Sequence, residues 1–262
     1  MAECDATDFV FIPKAYPQTA GAADEMAYAI NSLLSARGSK TTKVWIGTPG
    51  IDSNNFNSGY TASMLTSFLT NVYNELAYKS KVAGAYMNQE AIYGGMDFNN
   101  VLNGTQPGNR QIRIMNEIRT FVKSGKIGGT QFIWCPYYGS GTSAATIIKK
   151  IGHVADKVNI FDTVFLQPHT MFEPDKCVGN LNGVKYSVTA NQICYRDNTK
   201  VIASKASSTQ IGYEMEYAPR MSGFAGLWAD YKNAFSSCKS KPCLFYWEGN
   251  TEATFNEVNA WF

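Results

Sequence analysis

Charge is scarce in this chain. Asp, Glu, Lys and Arg together make up 17% of the 262 residues and nearly cancel, leaving a formal charge of +2. Lys and Arg are scattered and form no basic stripe, so nucleic acid is not an expected partner. Histidine occurs twice and cysteine six times, with no C-x-x-C pair and no His at zinc-finger spacing. Neither a metal nor any other cofactor is therefore expected. No apolar run is long enough to cross a bilayer. No low-complexity linker, internal repeat or charge block divides the chain, which predicts one domain over residues 1–262, acting as a monomer. G-x-S-x-G, H-E-x-x-H and P-loop signatures are absent.

What the chain does have is material for a large interior, with 45% apolar residues, and an aromatic share of 13% that includes fifteen tyrosines. Many of these rings fall at the ends of predicted strands, where they suit a cleft. Cys238 and Cys243 flank a short connection and Cys177 and Cys194 bracket a Gly- and Asn-rich loop, so both pairs could close locally, leaving Cys4 with Cys135. Spacing does not fix this connectivity, and reduced core cysteines are the alternative. The disulfide reading and the sequon Asn103-Gly104-Thr105 agree with a secreted protein whose leader has been removed.

Short β-branched and aromatic runs alternate with longer segments of helical period, the pattern of βαβ units on a parallel sheet. Strands are predicted at 8–13, 43–48, 82–90, 131–138, 163–169, 210–217 and 243–248. Helices are predicted at 24–37, 61–78, 110–123, 144–156, 189–204, 224–237 and 252–261. The helix at 61–78 carries Met64, Leu65, Phe68, Leu69, Val72 and Leu76 as its apolar stripe. The fold class is α/β, a TIM-type (β/α) barrel of seven or eight parallel strands, the eighth being sought within 94–108. A doubly wound open sheet is disfavoured, because polar residues gather after nearly every strand and not at one crossover.

In such barrels chemistry sits at the C-terminal strand ends. Those ends supply Glu90, Glu214, Glu216 and Glu248. Side chains two apart on a strand share a face, so Asn88 pairs with Glu90 and Glu214 with Glu216. Cleavage of a glycosidic bond needs one carboxyl group to protonate the leaving oxygen and another to attack the sugar or activate water. Glu90 is the candidate general acid/base, Glu216 the nucleophile or second carboxylate, and Glu214 or Glu248 a neighbour that tunes its charge. Tyr86, Asn88, Tyr138, Gln167, His169, Trp247 and Glu248 are the candidate substrate-binding residues. Tyr137 and Tyr138 cannot both face the cleft on a regular strand. Each residue also has a structural reading: a strand-end Glu can form an ion pair, and a lone His can cap a loop. Four carboxylates on three strand ends outweigh it, whereas His153, within a helix, is assigned to structure.

One competing motif is Gly139-Ser140-Gly141-Thr142-Ser143-Ala144, which fits G-x-G-x-x-A and lies between a strand and a helix. A dinucleotide fingerprint opens its domain and is followed by an acid at the next strand end, whereas Asp162 precedes the next strand.

The segments Gly84-Ala85-Tyr86 to Glu90, Phe132 to Tyr138, Asp162 to His169 and Gly212 to Tyr217, taken in order, resemble a family of secreted microbial barrel proteins known as domain-of-unknown-function family 4855. The resemblance implies a glycoside-hydrolase-like barrel with Glu90 and the Glu214/Glu216 pair as its acids. This chain departs from it at its cysteines and at His169, where Asn is expected. Asn88-Gln89-Glu90 is also similar to the Asn-Glu of retaining barrel glycosidases, with Gln89 intervening. The expected function is hydrolysis of a polysaccharide or oligosaccharide. Its rival is a lectin-like or cell-surface barrel that binds glycans without cutting them.

Overall fold

Each β-rich run becomes a strand, and within each unit described below successive strands pair in parallel. The structure, a computed structural model, describes residues 6–13, 21–50, 60–137, 144–169, 171–172, 209–247 and 260. The chain divides into two compact units, Met1–Trp134 with Ile160–Asp162, and Cys135–Asn159 with Thr163–Phe262. The predicted helices at 189–204 and 252–261, the stretch 139–143, Tyr138, Glu248, the Trp247 side chain and Cys4, Cys177 and Cys194 lie outside the described residues.

The first unit holds β1 (Asp8–Phe11), α1 (Gly21–Arg37), β2 (Lys43–Gly47), α2 (Ala62–Asn74), β3 (Val82–Met87), α3 (Pro107–Lys123) and β4 (Gln131–Trp134). Its strands pair in parallel, β1 with β2, β2 with β3 and β3 with β4. Val44, Ile46, Ala85, Met87, Phe132 and Trp134 are fully buried along them. That nearly continuous apolar run is what a sheet covered on both faces requires. The helix α2 starts where Thr61 caps it, Oγ1 accepting the Met64 N–H, and it buries Leu65, Phe68, Leu69 and Val72. Met64, expected in this stripe, is instead 52% exposed, because it lies one position off the face that meets the sheet. Asn31 of α1 fastens the chain after α2, donating to Glu75 O at 3.0 Å and accepting the Ala77 N–H at 2.8 Å. As expected, α1 ends at Gly38, whose φ of +56° is the left-handed turn glycine accepts without strain.

The register slips by one residue where β2 meets β3, since Val44 pairs with Val82 but Trp45 pairs with Gly84. Ala83 is the extra residue of this bulge. No strand lies within the described residues 94–108, where the eighth was sought. Seven parallel strands alternate with helices, which is the (β/α)-barrel class.

Asp162 has a structural task that explains why it precedes a strand. Its Oδ2 accepts the Phe132 N–H at 2.7 Å, and its two oxygens receive Lys123 Nζ at 2.6 and 2.8 Å. An Asp162→Ala variant should lose about 1–2 kcal/mol, since a strand amide is left unsatisfied. Lys123→Ala removes only a half-exposed ion pair and should cost about 0.5 kcal/mol or less. Urea midpoints of the two variants would separate these contributions.

The second unit holds α4 (Ala144–His153), β5 (Thr163–Leu166), β6 (Gln210–Tyr217), α5 (Phe224–Phe235) and β7 (Cys243–Trp247). β5 pairs with β6 and β6 with β7, both in parallel. The helix predicted to 156 widens into a π turn at Val154–Val158 and stops at Asn159, a non-glycine residue at φ +49°. Tyr213, Met215, Tyr217, Trp228, Tyr231 and Phe235 form the core, with Tyr213 stacked on Phe235 at 4.9 Å and Tyr217 edge-on to Trp228 at 5.0 Å.

The expected Cys238–Cys243 disulfide is not formed, and both are free thiols. Burial pushes the Cys243 thiol well above its ordinary range, which disfavours its thiolate. Its Sγ is directed at Leu244 O, 3.6 Å away, while Cys238 Sγ lies 4.0 Å from Ser237 Oγ. No described helix is long and apolar enough to cross a membrane.

Candidate functional site

Glu90 stands three residues beyond the end of β3, exposed at the head of a long loop. The predicted strand 82–90 stops at Met87 because the Asn88 N–H turns to Thr48 Oγ1, at 3.0 Å, and leaves the ladder. Asn88 itself is half-buried, and Tyr86, on β3, is only 4% exposed.

The backbone on both sides of Glu90 is held by side chains. The indole N–H of the fully buried Trp134 donates to Gln89 O. Trp134 cannot tilt, because it stacks on Phe161 at 5.0 Å. On the other side, Ala91 O accepts from Gln89 Nε2 at 3.2 Å and from Gln111 Nε2 at 2.6 Å, while Gln111 Oε1 accepts the Tyr93 N–H at 3.0 Å. The loop therefore carries a solvent-facing carboxylate on a fixed backbone, the preorganisation that acid/base work requires.

Farther along, α3 continues to fasten the loop. Asn109, fully buried, accepts the Asp97 N–H at 2.8 Å and donates to Asp97 O, Asn100 O and Val101 O at 3.0, 3.3 and 2.9 Å. Arg113 Nη1 donates to Gly104 O at 2.7 Å and to Leu102 O at 3.3 Å. Sequence reasoning missed these residues because polar side chains in the first turns of an amphipathic helix read as its solvated face. The Asn109→Ala variant should lose about 2–3 kcal/mol, since it strands several buried backbone groups together. The loss is expected as a lower melting temperature and faster proteolysis between residues 95 and 104.

In the second unit the strand-end residues meet more closely. Glu214 and Glu216 lie two apart on β6 and are 4% and 0% exposed. Glu216 Oε1 lies 3.0 Å from Nδ1 of His169, at hydrogen-bond distance, and its Oε2 accepts from the Tyr231 hydroxyl and from the Met171 N–H at 3.2 Å. His169 adopts φ +60°, a conformation that turns the chain beyond β5. Its imidazole lies edge-on to Tyr137 at 5.1 Å and tilted against Phe172 at 5.2 Å, and Phe172 in turn meets Tyr246 at 5.6 Å. Tyr137 and Gln167 form an isolated parallel bridge. Sequence reasoning named Glu216, Gln167 and His169 but missed Tyr231 and the Met171 amide. Tyr231 sits where the period of α5 calls for core, and it does pack there; its hydroxyl is the part the pattern hides. Among the described residues no three His, Cys, Asp or Glu gather as a metal ion would need.

The parallel strands alternating with helices define a (β/α) barrel. One solved structure matched is a GH18 chitinase from Pseudoalteromonas aurantia, at 10% identity and a TM-score of 0.55, covering 100% of this chain and 94% of that one. A likeness at this identity concerns the fold alone. No family model and no curated protein matches the chain, so the resemblance to family 4855 gains no support from either comparison.

Proposed function

We propose that this protein is a secreted glycoside hydrolase, a single barrel domain that cleaves a polysaccharide or oligosaccharide. Glu90 serves as general acid/base and Glu216 as the second carboxylate, with Glu214 as its charged neighbour. Tyr86, Asn88, Tyr138, Gln167, His169, Trp247 and Glu248 contact the sugar. The observation that most supports this reading is Glu90 itself, an exposed carboxylate whose neighbours on both sides are fixed by Trp134, Gln89 and Gln111. A surface glutamate without a task does not call for such a mount. The barrel fold adds to the case, since strand ends are where barrels carry chemistry.

The test is incubation of the protein and its Glu90→Gln variant with microbial and plant polysaccharides, with released oligosaccharides read by mass spectrometry. Products from the native protein and none from the variant uphold the assignment. If neither releases products and both bind the same glycan, the chain is a glycan-binding barrel.

A further inference from the structure

The sequon Asn103-Gly104-Thr105 takes no part in the proposed site, and it is the chain's sole match to N-x-S/T. It lies in a turn just ahead of α3. The N–H groups of Asn103 and Gly104 both donate to Asn100 O, at 3.2 and 2.7 Å, and Arg113 Nη1 grips the carbonyls of Leu102 and Gly104 on either side of Asn103. Gly104 is buried, and packing explains its type, since a Cβ there would lie 2.8 Å from Asn109 Cγ and 2.9 Å from Asn100 O.

The two residues beside it have no such explanation. Asn103 and Thr105 are exposed, and neither side chain makes a hydrogen bond among the described residues. Asn is favoured in turns because its side chain bonds the nearby backbone or because it tolerates positive φ, and Asn103 does neither. A Thr ahead of a helix is ordinarily its cap, but the capping position of α3 is Gln106, and Thr105 stands one residue too early. The fold thus accounts for the glycine and leaves the Asn and Thr to another purpose.

We propose that Asn103 is the acceptor of an asparagine-linked glycan when the chain is secreted through a membrane compartment that makes one. Nδ2 of Asn103 bonds to the anomeric carbon of a lipid-linked oligosaccharide diphosphate as the bond from that carbon to the phosphate oxygen breaks. The lipid diphosphate leaves with the electron pair, and the amide proton passes to a base of the transferase, which recognises the acceptor by the Thr105 hydroxyl. Transfer takes place on the unfolded chain, so the fold has only to leave the product room, and an exposed Asn103 on a pinned backbone does so. The glycan adds a bulky, hydrated group to the loop after β3. This inference rests on the secreted part of the function proposed above and not on its cleavage chemistry.

The test is secretion of the full chain from yeast behind a cleavable leader, with the folded product read by intact mass and peptide mapping. One glycan should be found, on Asn103, and peptide N-glycosidase in oxygen-18 water should convert residue 103 to a labelled aspartate. Thr105→Ser should keep the glycan, whereas Asn103→Gln and Thr105→Ala should lose it. The melting temperatures of those two variants should fall within about 2 °C of the deglycosylated native chain, as expected where a side chain has no structural task. A bare Asn103 in the secreted native chain, a glycan that survives Thr105→Ala, or a larger loss of stability in either variant would overturn the proposal. A glycosylated chain that cuts no polysaccharide would remove the hydrolase and keep the site; a bare Asn103 in an active enzyme would do the reverse.

Discussion

Gly84→Ala should leave the protein unable to fold, with little soluble product and no cooperative melting transition. A Cβ on Gly84 would lie 1.8 Å from Gln131 O, 2.6 Å from its carbonyl carbon and 2.8 Å from its nitrogen. All three are backbone atoms of the strand that Gly84 pairs with, so relief requires separating β3 from β4. The same crossing is crowded from the other side, where a Cβ on Gly129 would come within 2.0 Å of the Ala83 carbonyl carbon. Both contacts fall at the bulge that sets the β2–β3 register. The cost is on the order of 4 kcal/mol or more, a large share of the total stability of a domain. Gly226→Ala is the control. Nothing lies within 4 Å of its Cβ position, which is inside α5, so the substitution should stabilise by about 0.5–1 kcal/mol. Soluble yield and melting temperature of the two variants decide the matter, and a folded Gly84→Ala protein would mean that β3 and β4 are farther apart than described.

Glu90→Gln should reduce turnover by about a hundredfold to ten-thousandfold, the range for loss of a general acid/base, while leaving stability nearly unchanged. The amide has the same shape, the side chain is exposed, and the hydrogen bonds from Trp134, Gln89 and Gln111 that fix the loop remain. Because surface substitutions of this kind change stability by about 0.5 kcal/mol or less, a fall in rate cannot be blamed on unfolding. The pH profile of the variant should also lose the limb that Glu90 supplies. Equal turnover in the two proteins would reduce Glu90 to a solvated surface charge.

The strands were legible as β-branched runs between helical periods, and 210–217 was read with the bounds it has. Ends were less legible where strand-like residues continue into a loop. The run 131–138 stops at Trp134 because Pro136 has no N–H to give, and 82–90 stops where a threonine side chain takes over the next amide. At the site, residue type and position were readable, since acids and a histidine at strand ends announce themselves. Their partners were not. Tyr231, Trp134 and Asn109 each look like core or helix surface in a linear pattern, and only the fold brings their polar atoms to a carboxylate or a carbonyl. The two thiols near β7 failed in another way: spacing suggested a bridge, but sequence separation does not bring two Sγ atoms together, and the fold leaves both thiols free.

Trp134 and Gln89 hold the chain at Glu90, but the side chains that hold residues 91–104 beyond it come from the opening turns of α3, at positions 109, 111 and 113. Whenever the start of α3 frays, those three fastenings let go together, and the helix and this part of the loop open as one cooperative unit. The setting of Glu90 is then governed in part by a local equilibrium in a helix that contains none of the proposed site residues. Substitutions that improve the first turn of α3 would change the fraction of time in which that carboxylate is poised, without touching it.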